Sequence, residues 1–259
     1  MNWNKHKWYL ITAAVVTLFS IFYLAKSVSA VNQAVRVFDD AYFSSVEQKE
    51  GDTINLCAIP GYIEMLREKA FLSSQVKMAD QDSIGLLINI RDSTLQLLIK
   101  GVPVRSFMID DYDVSPFFHR ANQEAIYSML SSPLTITRMQ ATFMKDPVQV
   151  KIAPKDTSEA IIDARPDTTD FEAVFFTLDT DRDIRFYFEQ HEDTVGADRR
   201  ARFFFDLKDR YRNAGATMRE VISFRTPPYV PYIKIWISKA EAKIIYRAIP
   251  REGQIVLMQ

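Results

Sequence analysis

Cysteine occurs once in 259 residues, as Cys57, so the chain can close no intramolecular disulfide and build no cysteine-based metal cluster. Histidine occurs three times, at His6, His119 and His191, without the close spacing of a local ligand pair, and neither a metal nor a cofactor is expected. Seven glycines leave little material for tight catalytic turns, and no Gly-rich phosphate loop and no internal repeat occur. Neither sign of charge is in excess. Lys and Arg number 32 against 33 Asp and Glu, so no global field draws the chain to nucleic acid, and no nucleic-acid partner is expected. What is present is an ordinary globular balance, 47% hydrophobic and 25% charged, in a length that can bury one large core or two small ones.

The longest uncharged stretch lies near the N-terminus. Residues 8–25 contain no Asp, Glu, Lys, Arg, Pro or Gly and match the length of a helix that crosses the hydrocarbon core. Trp3, Trp8 and Tyr9 at one end and Phe22 and Tyr23 at the other resemble interfacial belts. Lys5 and Lys7 precede the run and hold the N-terminus in the cytosol, which predicts a single-pass protein of the cytoplasmic membrane with a periplasmic C-terminal domain. The competing reading is a signal peptide cleaved near Ala30, after Val28-Ser29-Ala30, with a secreted product; Lys26 and the length of the run favour the uncleaved anchor. The expected division is a cytosolic tip and anchor over 1–30, a helical stalk over 31–80, and the extracytoplasmic domain over 81–259. Within the stalk, Val31, Val35, Phe38, Tyr42 and Val46 form a helical stripe, and a second helix is expected over 60–74 with Ile63, Leu66 and Ala70 on one face.

From residue 83 the pattern changes to strands. Residues 83–90, 94–100 and 104–110 read as a meander, 115–131 as one helix opened by Ser115-Pro116, and 136–144 and 148–152 as two more strands. Residues 171–178 and 184–190 read as a hairpin around Asp179 to Asp183. That tip is not a calcium loop, because Ile184 stands where the turn needs Gly and Gln190 where it needs a bidentate Glu. A helix is expected over 198–213, with Asp198 as its cap, Gly215 beyond its end, and Phe204, Leu207 and Tyr211 facing inward. Its arginines, Arg199, Arg200, Arg202, Arg210 and Arg212, oppose an acidic segment over 156–193. They suit an internal ion-pair surface or a basic ridge for an anionic envelope polymer.

The C-terminal stretch 229–257 is the most specific. It reads as a buried strand through Ile233, Ile235 and Ile237, a helix opened by a Ser238–Glu241 capping box with Ala242, Ile245 and Tyr246 on one face, and a closing strand over 254–257. This strand, capped helix and strand resemble the end of the L,D-transpeptidase (YkuD-like) family. The resemblance implies an α+β fold, mostly antiparallel and β-rich, with inserted helices. In that family the strand before the helix carries a Ser-x-Gly-Cys-x-Arg signature, whereas this chain has Tyr232, Ile233, Lys234, Ile235 and Trp236. His191 stands where the family has a His-Gly pair, but Glu192 and Asp193 follow it.

The resemblance therefore implies the fold without the family nucleophile. His191 is the one candidate catalytic residue, and His191, Lys234, Arg199 and Arg202 are candidates to line a groove. Three readings follow. The first is an inactive, membrane-anchored domain that binds an envelope protein or a peptidoglycan peptide. The second is an active envelope enzyme with a displaced nucleophile, for which the apolar setting of Cys57 is unsuited because it favours the protonated thiol. The third is a stalked structural subunit. The inserted helix is expected to close the groove by burying Phe203, Phe204 and Phe205 on the sheet.

Overall fold

The computed structural model describes residues 3–47, 60–142, 173–190, 196–223 and 225–259. Cys57, His191, the expected strand 148–152 and most of the acidic segment lie outside the described residues.

The apolar N-terminal run and the expected stalk stripe form one uninterrupted helix, α1 (Trp3–Glu47). Over Ala13–Tyr42 it is long and apolar enough to cross a membrane, a test that a signal sequence also passes. Its two halves differ in environment. Val15, Val16, Leu18, Ile21, Leu24 and Val28 are 58–67% exposed, whereas Ala30 and Val35 are buried and Phe38 packs edge-on against Phe117 at 5.1 Å. These apolar side chains of the first half are thus left outside the protein core, and the second half is part of it. Helix α2 (Tyr62–Ala79) adds Ala70 to the same core, while its Met78 joins Leu87, Leu98 and Val256 in a smaller cluster.

Among the described residues the strands form one mixed nine-stranded sheet in an α+β fold, in the order β3-β2-β1-β9-β5-β6-β7-β8-β4. The expected meander is β1 (Ile84–Asn89), β2 (Thr94–Ile99) and β3 (Val102–Met108). Ser93 at φ 51° turns the first hairpin, and Lys100 and Gly101 at φ 50° and 77° turn the second, where a Gly Cβ would also meet the Ala79 Cβ at 2.9 Å. The other strands are β4 (Asp111–Val114), β5 (Leu134–Ala141), β6 (Phe176–Thr180), β7 (Arg185–Glu189), β8 (Tyr232–Trp236) and β9 (Gln254–Met258). Neighbouring pairs are antiparallel except β1 with β9 and β7 with β8.

Strands β3 and β4 stand at opposite ends of that order, yet only Ile109 and Asp110 separate them. The sheet must therefore curl until its edges meet on one continuous segment. Ile109 N donates to Ser93 O at 2.8 Å on the β2 side, and Asp110 N to Trp236 O at 2.9 Å on the β8 side. Strand β4 was not expected from sequence, because Asp-Tyr-Asp-Val is poor in strand formers and gains its place only by pairing with β8.

Three local expectations are corrected. The single helix over 115–131 is two, α3 (Pro116–Arg120) and α4 (Gln123–Leu130). The chain breaks at Asn122, which caps α4 by accepting from Glu124 N at 2.8 Å and donates its own N–H to Asp39 of α1 at 3.0 Å. The arginine-rich helix does not stop before Gly215 but runs through it as α5 (Gly196–Ile222). Nor does it bury two of the three phenylalanines expected to be covered: Phe203 and Phe204 are 62% and 64% exposed, with Leu207 and Tyr211 also exposed, whereas Phe205 is half-buried. Helix α6 (Lys239–Ala248) carries the capping box and buries Ala242, Ile245 and Tyr246, the last 5.4 Å from Phe176.

Candidate functional site

Strand alternation puts Phe186, Phe188, Ile233 and Ile235 into the core and Arg185, Tyr187, Glu189, Tyr232, Lys234 and Trp236 on the opposite face. Parallel pairing of β7 with β8 sets Arg185 beside Tyr232, Tyr187 beside Lys234 and Glu189 beside Trp236. On the far side of β8, Asp113 of β4 is the register partner of Lys234. Lys234 lies half-buried with its Nζ 5.4 Å from the Tyr232 ring centroid, a cation–π distance.

Helix α5 meets this face through a set of charged and hydrogen-bonded side chains, while its Val221 is buried and Phe205 half-buried. Arg185 Nε donates to Asp179 Oδ1 at 2.5 Å, and its Nη1 to Asp209 Oδ1 of α5 at 3.2 Å. The Tyr187 hydroxyl donates to Asp209 Oδ2 at 3.1 Å. Arg202 of α5 pairs with Glu189 at 2.5 Å and stacks its guanidinium 5.4 Å from the Phe175 ring centroid. Burial opposes the Arg185 charge, but the hydrogen bonds it donates to Asp179 and Tyr187 outweigh it and raise the guanidinium further. Burial pushes the Tyr187 phenol up to about 12, with the Arg185 hydrogen bond opposing. Burial also raises Tyr232, helped by the Asp113 charge.

Of the candidate groove residues, Lys234 and Arg202 therefore serve one outer face, two strand positions apart through Glu189 and Trp236. Arg199 is exposed one turn before Arg202 on α5, and His191 lies outside the described residues. Arg202 is committed to an ion pair that fastens the helix. Asp209, Arg185 and Tyr187 were missed from sequence, since nothing in their spacing joins residues 24 apart; the only trace was the arginine-rich helix opposing an acidic segment.

A second feature lies where α1 meets the β6–β7 hairpin tip and the proline segment before β8. A cavity of about 490 Å³ opens there, lined by residues that include Ala34, Phe38, Phe117, Arg182, Pro227 and Tyr229. Its size suits a small ligand or a short peptide. The Arg182 Nη1 is shielded from solvent and has no hydrogen-bond partner. Of the two flanking carboxylates, Asp181 already accepts the Thr135 N–H at 3.0 Å and Asp183 is exposed. A shielded guanidinium N–H without an acceptor is costly unless a ligand provides one. Among the described residues no cysteine, histidine or lysine lines this cavity. Among the described residues, no group of three His, Cys, Asp or Glu is placed to hold a metal ion.

No protein-family model matches the chain, and no curated protein and no solved structure matches it.

Proposed function

We propose that the chain is a membrane-anchored, non-catalytic domain of the cell envelope, L,D-transpeptidase-like in fold, that binds a carboxylate-bearing peptide in the cavity beside α1. One observation carries the binding reading: the unpartnered Arg182 Nη1 in a cavity of about 490 Å³ whose lining combines Ala34, Phe38, Phe117 and Pro227 with polar residues. Such a site holds a carboxylate through the guanidinium and small apolar side chains against Ala34, Phe38 and Pro227. Peptidoglycan stem peptides have this chemistry, as does the C-terminus of an envelope protein. The anchor reading rests on α1, whose exposed apolar half continues without a break into the core and would hold the domain just outside the bilayer. Lysine at 234 in place of the family cysteine favours binding over acyl transfer, because an amine over a tyrosine ring lacks the thiolate that the family chemistry needs.

The test uses the full chain in detergent or nanodiscs. A stem tetrapeptide should bind with an affinity that Arg182→Ala lowers by about tenfold or more, as expected for a lost charge-assisted hydrogen bond. Amidation of the peptide carboxylate should weaken binding to the same extent. A carbapenem should form no covalent adduct. Adduct formation that disappears in Cys57→Ala would replace this reading with an enzyme whose nucleophile is displaced, and equal peptide binding by wild type and Arg182→Ala would remove the cavity from it.

A further inference from the structure

The exposed apolar residues of α5 continue to its end, with Met218 50% and Ile222 62% exposed. That end does not sit at random on the domain. A cleft of about 390 Å³ separates it from α1, lined on the α1 side by Tyr23, Ser27 and Val28 and on the other by Thr217, Pro227 and Tyr229. Tyr23 and Ser27 mark the outer end of the apolar run 8–25, the level at which a span leaves the hydrocarbon. The chain thus reaches the cleft at Thr217 and returns along it at Pro227, and the helix end from Met218 to Ile222 forms a tip at the same level as the end of the span.

The tip has the composition of an interfacial element. Its apolar side chains Met218 and Ile222 lie four residues apart, about one turn and 6 Å along the helix, so they share a face. Arg219 and Arg225 beside them are exposed, as is Arg120 on the α3 side of the cleft. Apolar side chains flanked by arginines match the boundary between acyl chains and anionic headgroups, with the arginine stems lying along the apolar layer and their charges among the phosphates. From these placements we infer that the C-terminal tip of α5 is a second membrane contact, dipping Met218 and Ile222 into the headgroup region of the bilayer that α1 crosses. The inference rests on the anchor reading of α1. Two contacts separated by a cleft restrict the tilt of the domain over the lipid, which a single helix, free to tilt in the bilayer, leaves open.

The experiment uses the full chain with Cys57→Ser as background and single cysteines in turn at Leu18, Ile222, Phe204 and Val104, each carrying a nitroxide. The protein is reconstituted in vesicles of zwitterionic and anionic phospholipid. Collision with oxygen, which concentrates in lipid, is compared with collision with a water-soluble nickel chelate. The Ile222 label should give an oxygen-to-nickel ratio near that of Leu18 and well above that of Val104, which is exposed on β3. A water-like Ile222 label with a lipid-like Leu18 label would overturn the second contact and leave the anchor standing. A water-like Leu18 label would overturn both. Dipolar broadening between labels at Phe204 and at Ile222 would show a second copy covering the helix, which also overturns the inference.

Discussion

Helices α5 and α6 are both amphipathic, both follow a strand of the same half of the sheet, and they face opposite ways. Helix α6 turns Ala242, Ile245 and Tyr246 into the core and is fixed at its start by the Ser238–Glu241 box. Helix α5 turns Arg202 and Asp209 toward the sheet and leaves Phe203, Phe204, Leu207, Tyr211, Met218 and Ile222 outside. Periodicity identifies which side chains share a helix face, but it does not say which face finds a surface to cover. That depends on what the facing strand presents. The surface beneath α6 includes Phe176, whereas β7 presents Arg185, Tyr187 and Glu189 on its outer face and so accepts only a polar helix face.

The comparison breaks most visibly where burial is complete. Ile245→Ala removes a fully buried side chain from α6 and should cost about 2–5 kcal/mol, read as a fall in urea midpoint at unchanged slope. The corresponding change on the docked face of α5 is Asp209→Ala, which removes the acceptor of the Tyr187 hydroxyl and one of the two carboxylates on Arg185, Asp179 remaining, at sites where Arg185 is 12% and Asp209 13% exposed. A loss of about 1–3 kcal/mol is expected for a buried donor left without its acceptor. Its signature should be local: amide exchange in α5 should accelerate while β1, β2 and β9 keep their protection.

Titration sharpens the same contrast. Burial raises Tyr187 from the ordinary tyrosine value of 10 to about 12 in the fold, so between those values the folded state keeps a proton that the unfolded state has lost. The stability linked to Tyr187 is fully present below pH 10 and falls as pH rises through about 12, by at most about 3 kcal/mol. Tyr187→Phe should remove this part of the alkaline slope while keeping the aromatic packing. An unchanged slope in Tyr187→Phe would mean that the phenol is solvated and that α5 is held without it, by Arg185 and by the Arg202–Glu189 pair.

The contrast also explains which parts of the chain were legible in its sequence. The capping box of α6, the meander β1 to β3 and the 176–189 hairpin were readable because each is a local device: a cap with its reciprocal partner three residues on, a turn residue between alternating runs, an apolar face over a buried sheet. Strand β4, the break at Asn122 and the docking of α5 were not readable, because each is decided by a partner distant in sequence. Asp111 to Val114 is a strand only beside β8, Asn122 turns where Asp39 of α1 receives its N–H, and Asp209 acts only where Arg185 and Tyr187 meet it. At the candidate site Lys234 and Arg202 were legible as residue types in suggestive places, whereas Arg182 read as one charge of a polar turn. Its meaning appears only when α1 and the proline segment close over it.

The smallest expected effect is the most discriminating. Phe204→Ser on α5 should change the stability of the detergent-solubilised protein by less than about 0.5 kcal/mol, the range of ordinary surface substitutions, because Phe204 is 64% exposed and its ring neighbour at 5.8 Å, Phe203, is itself exposed. Were the helix rotated to bury its phenylalanines, as the heptad-like spacing of Phe204, Leu207 and Tyr211 alone suggests, the same change would cost several kcal/mol through lost transfer and cavity formation. A denaturation midpoint that moves with Phe204→Ser but not with Asp209→Ala would reverse the orientation of α5. The opposite pattern, a neutral Phe204→Ser and a destabilising Asp209→Ala, holds only for a helix fastened by its charges. Phe204 lies high on the helix, away from the tip at Met218 and Ile222, so its substitution reports how α5 meets the sheet and leaves its contact with lipid to the labels at the tip.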